Sequence, residues 1–75
     1  MTAVLDARKK FKQAQEDARD AIDRARAGFG KSIKLARDRD GATQDQIAKT
    51  LGLTREQVRR YERFYETWRE ANGEP

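Results

Sequence analysis

The segment Thr43–Glu62, TQDQIAKTLGLTREQVRRYE, constrains the fold more tightly than any other part of the chain. Ile47, Ala48, Leu51, Leu53, Val58 and Tyr61 fall where two short helices crossing at a tight corner must be apolar or small. Ala48 is small where the helices approach closely. Gly52 stands at the corner, where the backbone needs a positive φ that glycine adopts without steric cost. Each helix also carries its own start signal: Thr43 is followed by Gln46, and Thr54 by Gln57. In this T-x-x-Q spacing the threonine hydroxyl and the glutamine amide satisfy backbone groups that a first helical turn leaves unpaired. The first helix is expected from about Gln44 to Thr50 and the second from about Arg55 to Ala71, ended by Asn72-Gly73.

Upstream, the chain from Ala3 to Ala27 is rich in Ala, Arg, Lys, Gln and Glu and has no glycine or proline, which predicts a helix. Val4, Ala7, Phe11, Ala14, Ala18, Ala21 and Ala25 alternate in steps of three and four, and the register continues through Gly28, Ser32 and Leu35. This is the spacing of a coiled-coil seam. Its small residues favour close, often antiparallel, helix pairing; the competing reading is that alanine only reflects helix propensity on a solvated surface. Phe11, Val4 and Leu5 favour the seam. Ile22, Phe29, Ile33 and Ala36 then widen the stripe, as if this half packs on two partners.

Gly28 and Gly30 each cost about 1 kcal/mol against alanine inside a helix, so a kink or break is an alternative at Phe29–Lys31. The unbroken phase favours one long helix from about Ala3 to Arg39, ended at Asp40-Gly41 by a left-handed glycine cap. The expected architecture is therefore all-α. Residues 1–29 form a coiled-coil-like dimerisation and bracing helix, and residues 30–75 a helix-turn-helix unit.

Composition excludes more than it identifies. With 36% hydrophobic and 40% charged residues in 75, the chain cannot build a large core of its own, which favours gaining stability by oligomerisation. Without cysteine or histidine it lacks thiol nucleophiles, disulfides, the commonest general base and the commonest metal ligands. Its carboxylates nearly all stand three or four residues from a lysine or arginine, the spacing of surface ion pairs. An enzyme is not expected, nor a metal site, a cofactor or a small-molecule substrate. No apolar run approaches the roughly 20 residues that span a bilayer or resembles a signal peptide, so a cytoplasmic protein, nucleoid-associated if it binds DNA, is expected. The net charge of +4 lies wholly in residues 1–40, which hold eleven Lys/Arg against seven Asp/Glu, while residues 41–75 hold six of each.

The Thr43–Glu62 segment resembles the helix-turn-helix of prokaryotic DNA-binding regulators, particularly the compact phage-repressor type. Adding the preceding GKSIKLARDRDGA as a first helix extends the likeness to roughly 33 residues, close to half the chain. The resemblance implies sequence-specific binding of double-stranded DNA, with the second helix in the major groove. It implies that Thr54, Arg55, Gln57 and Arg59 face base edges, that Arg60 and Arg63 lie nearer the backbone, and that Gln44 touches a phosphate or supports a base-reading side chain, with Thr43 and Lys49 as weaker phosphate contacts. Physical chemistry fits these roles. Arginine can donate two hydrogen bonds to guanine, and helix N-termini offer free N–H groups to phosphate. The arginines can also be read as merely solvating an exposed helix beside Glu56, Glu62 and Glu66. Glu56 departs from a uniformly attractive face; it would accept from cytosine N4 or orient Arg59 or Arg60.

Val58, Tyr61, Phe64, Tyr65 and Trp68 form one broad face that reads as core or interface rather than a base-stacking platform; its far end needs cover from the long helix or a second subunit, found most easily against Ile22, Phe29 and Ile33. The RKKFK run, Arg8–Lys12, reads as a solvated face or an auxiliary phosphate contact. If the long helices pair antiparallel about Arg19–Asp20, units beginning at residue 40 stand about 60 Å apart, nearer two turns of DNA than one. The resulting expectation is a homodimeric transcriptional regulator. The alternative is a helix-turn-helix adaptor or antitoxin-like partner that does not read DNA, favoured by the neutrality of residues 41–75.

Overall fold

Thr2–Asp40 is one unbroken helix, α1, in the computed structural model, which describes residues 1–75. Its helix-forming composition carries it through both glycines, so the alternative break at Phe29–Lys31 does not occur. Arg37 and Arg39 stand in the last turn, where cations favour the carbonyl end of the helix dipole. Gly41, at φ 71°, then takes the left-handed conformation that stops it. A helix of this length spans about 58 Å, and the molecule measures 58 × 25 × 15 Å. The rest of the chain therefore folds back alongside α1 instead of extending it.

Two short elements follow: α2 (Gln44–Leu51) and α3 (Arg55–Asn72), with no strand anywhere. Both predicted capping boxes form. The Thr43 hydroxyl accepts from the Gln46 N–H at 3.1 Å, and the Thr43 N–H donates to the Gln46 side chain at 2.9 Å. Thr54 and Gln57 repeat the same pair of bonds at the same lengths. At the corner Gly52 has φ 69°, which lets Leu53 N–H donate back to the Ala48 carbonyl at 2.9 Å.

The corner packs on α1 through Ile33, Ile47, Ala48 and Val58, with Phe29, Ala36, Ala42, Leu53 and Tyr61 closing round them. Val58 is fully buried. The Phe29 and Tyr61 rings meet edge to face with centroids 4.8 Å apart, a favoured aromatic geometry. α3 then runs on past the corner and crosses α1 at Gly30. A Cβ built on Gly30 would lie 2.8 Å from the Tyr65 Cβ and closer still to the Tyr61 carbonyl oxygen. Gly30 is therefore the contact point of two backbones, whereas Gly28 has nothing within 4 Å of such a Cβ.

Three expectations change. Leu51 is 43% exposed instead of buried in the corner; it sits at the end of α2, on the rim of a groove it shares with Phe29 and Ala36. Ile22 is 60% exposed and covers none of the aromatic face, because the crossing is centred at Gly30, two turns further along α1. Tyr65 is buried there and Trp68 half-buried, while the Arg26 guanidinium lies over the Phe64 ring at 5.1 Å. Glu62, read from the sequence as a surface charge, is buried. It stands on the α1-facing side of α3 and pairs with Arg37.

Candidate nucleic-acid interface

The inner face of α3 is fixed by Val58, Tyr61, Glu62 and Tyr65. At 100° per residue the opposite face must carry Glu56, Arg59, Arg60 and Arg63, and all of these are exposed. The same periodicity splits the remaining candidates. Arg55 lies on the flank of α3 next to α2, and its Nε is 3.3 Å from the Asp45 carboxylate. Gln57 lies on the opposite flank, beside Arg26, Arg60, Tyr61 and Phe64. Two residues apart on a helix diverge by about 160°, so Arg55 and Gln57 do not share a face.

Glu56 lies on the outward strip between two arginines, and Glu70 follows on the same strip two turns beyond Arg63. The Glu56 carboxylate is 3.9 Å from Arg59 Nη1 and 3.6 Å from Arg60 Nε. These pairs are more than half exposed, and exposed pairs contribute only about 0.2–1 kcal/mol. They orient the guanidinium groups and yield readily to a competing anion. Arg63 is exposed one turn further on.

Three other acids of the C-terminal unit, Glu62, Glu66 and Glu74, are tied to α1. Arg37 pairs with Glu62, Lys34 Nζ is 3.0 Å from Glu66, and Lys31 Nζ is 3.0 Å from Glu74. The Glu66 hydrogen bond, then its charge, raises the Lys34 pKa above the usual lysine value. The Lys31 ammonium, with the Tyr65 hydroxyl, holds the Glu74 carboxyl below the usual range. Three cations of α1 are thus matched against three of the six acids of the C-terminal unit. That pairing explains how residues 41–75 are neutral overall while the outward strip of α3 keeps its arginines. Sequence periodicity alone did not reveal it, because it depends on which flank of α3 meets α1.

At the start of α2, Thr43, Gln44 and Asp45 line a shallow polar concavity with Arg37, Asp38 and Arg55. Gln44 is half-buried there, and the Thr43 hydroxyl is already an acceptor in its capping box. Thr54 is likewise engaged. The structure therefore gathers Arg59, Arg60 and Arg63 on one surface, sets Arg55, Gln44 and Thr43 together at its α2 edge, and uses Thr54 and Gln57 to start the helix. Lys49 is exposed on α2.

Val4, Ala7, Phe11, Ala14, Ala18, Ala21 and Ala25 are all exposed along the part of α1 that extends beyond the α3 crossing. Nothing in a single chain covers them. No helix is long and apolar enough to cross a membrane. No protein-family model, curated protein or solved structure matches the chain.

Proposed function

We propose that this protein binds double-stranded DNA sequence-specifically, with α3 as a recognition helix in the major groove, and regulates transcription as a homodimer. The observation that carries the reading is the sorting of charge around α3. Its acids Glu62 and Glu66 are held by Arg37 and Lys34 of α1, while Arg59, Arg60 and Arg63 face outward on a helix whose other side is core. A helix with side chains is about 10–12 Å across and the major groove about 12 Å wide. Arg59 and Arg60 are the candidates for guanine edges, Arg63 for a phosphate further along the groove, and Arg55 with Gln44 for a phosphate at the α2 edge.

Glu56 sets the character of the binding. It offsets part of the arginine charge, so indiscriminate attraction to backbone is weakened and base readout gains relative weight. The adaptor alternative drew its support from the neutrality of residues 41–75; three of the six acids behind that neutrality, Glu62, Glu66 and Glu74, are engaged by α1, which leaves Glu56 and Glu70 against Arg59, Arg60 and Arg63 on the outward strip.

Selection from a random duplex pool tests the reading. Enrichment of a defined sequence is expected. Arg59→Ala is expected to lose about 1–3 kcal/mol on the selected site and to relax preference at one position. A pool that yields no enriched sequence at low salt contradicts the proposal.

A further inference from the structure

Val4, Phe11, Ala18, Ile22, Ala25, Phe29 and Ala36 recur at intervals of three, four or seven residues, which keeps them on one face of α1. The face is bare over its first half, where Val4, Phe11 and Ile22 are each at least 60% exposed. Its second half becomes the wall of an apolar groove of about 280 Å³, completed by Ala42, Ile47 and Leu51. Leu51 at 43% exposure is the large apolar side chain left open on the α2 wall. The same chain cannot fill this groove from its own stripe, because α1 is continuous and Phe11 lies about 27 Å from Phe29 along it.

We infer that the groove is the seat for the N-terminal half of α1 of a second copy, in an antiparallel pair centred on Asp20. This deepens the homodimer part of the proposed function and stands apart from the reading of α3. In that register Val4 of the second copy falls opposite Ala36, Phe11 opposite Phe29 and Ala18 opposite Ile22. The bare Val4, Phe11 and Ile22 each thus meet an apolar position, and Phe11 enters beside Phe29 and Leu51. The flanking charges agree with the register. Asp17 meets Arg24 of the second copy on one side of the seam, and Arg19 meets Asp23 on the other. Lys12 and Arg26 share a side as like charges, but Arg26 is turned onto the Phe64 ring.

The pairing fixes the presentation of the recognition helices. α3 packs on α1 about a quarter turn round from the stripe. A two-fold axis perpendicular to the plane of the pair therefore carries both helix-turn-helix units to the same side. The units cross α1 at Gly30, so along the pair they stand about 30 Å apart, close to the ~34–36 Å of one DNA turn. The distance of about 60 Å counted from the end of α1 overlooks the fold-back of α2 and α3.

Sedimentation equilibrium and disulfide trapping, both without DNA, test the pairing, so its failure is distinguishable from failure of the DNA reading. The wild-type chain is expected to be a dimer. Phe11→Asp, at a site outside the single-chain core, is expected to weaken dimerisation by at least about 100-fold, since each copy loses one buried apolar side chain. Its helical circular dichroism at high concentration should persist. The natural chain has no cysteine, so Val4→Cys with Ala36→Cys gives a clean oxidation test. The two sites lie about 48 Å apart on one helix, so any disulfide between them joins two chains. The double variant should form a covalent dimer, and each single variant should not. A monomeric wild type, an unaffected Phe11→Asp dimer, or ready trapping of either single variant overturns the inference.

Discussion

Gly28 and Gly30 are two residues apart on α1 and meet opposite surroundings. An added Cβ at Gly28 meets nothing within 4 Å, while at Gly30 it runs into the Tyr61 carbonyl and the Tyr65 Cβ. Gly28→Ala should therefore stabilise the chain by roughly 0.5–1 kcal/mol through helix propensity. Gly30→Ala gains the same propensity but forces α3 away, and a net loss of about 1–3 kcal/mol is expected. Urea denaturation of the two variants checks this; equal effects of the same sign would mean that α3 does not cross at Gly30. The sequence shows two glycines in a helical run and so suggests a kink. Which of them is needed for close packing depends on where α3 arrives, and no local pattern contains that. Glu62 escaped notice for the same reason. Glu62→Ala leaves Arg37 unpaired and should cost about 1–2 kcal/mol, below the cost for a fully buried pair because Arg37 is partly solvated.

At the scale of elements, the starts and stops were legible because they are local chemistry. Thr43, Thr54, Gly41 and Gly52 each act within one turn of their own position, and all four act as their residue types dictate. Thr54→Ala should cost about 1 kcal/mol, and Thr54→Ser should recover most of it by keeping the acceptor. A Thr54→Ala variant as stable as wild type would count against the cap. The tail contact behaves differently with pH. Glu74 has its folded pKa lowered by Lys31 and Tyr65, so that contact holds at neutral pH and is lost as pH falls through the lowered value. Lys34 is the converse case: its pKa is raised, so its contact with Glu66 holds below the ordinary lysine value and is lost as pH rises through the raised one. An NMR titration should place the Glu74 carboxyl midpoint below that of an unstructured glutamate; an ordinary midpoint would show the tail undocked.

For the whole molecule, the order of helices followed from the sequence, while their mutual placement did not. Leu51 and Ile22 satisfy apolar periodicity equally well whether covered by their own chain or by another, so periodicity alone places neither in the internal core. The site was partly legible for the same reason. Arg59, Arg60 and Arg63 follow from the inward positions of Val58 and Tyr61, and the divergence of Arg55 from Gln57 follows from their two-residue spacing, but which flank meets α2 and the diversion of acids to α1 emerge only in three dimensions. The central claim is that the outward strip of α3 engages DNA. Fluorescence anisotropy of the selected duplex across a salt series tests it most directly, comparing wild type with Arg63→Ala. Affinity should fall steeply and linearly in log–log form with salt, and Arg63→Ala should weaken binding and reduce the slope by about 1. Binding with a flat salt dependence, or a slope and affinity indifferent to Arg63, would contradict the account.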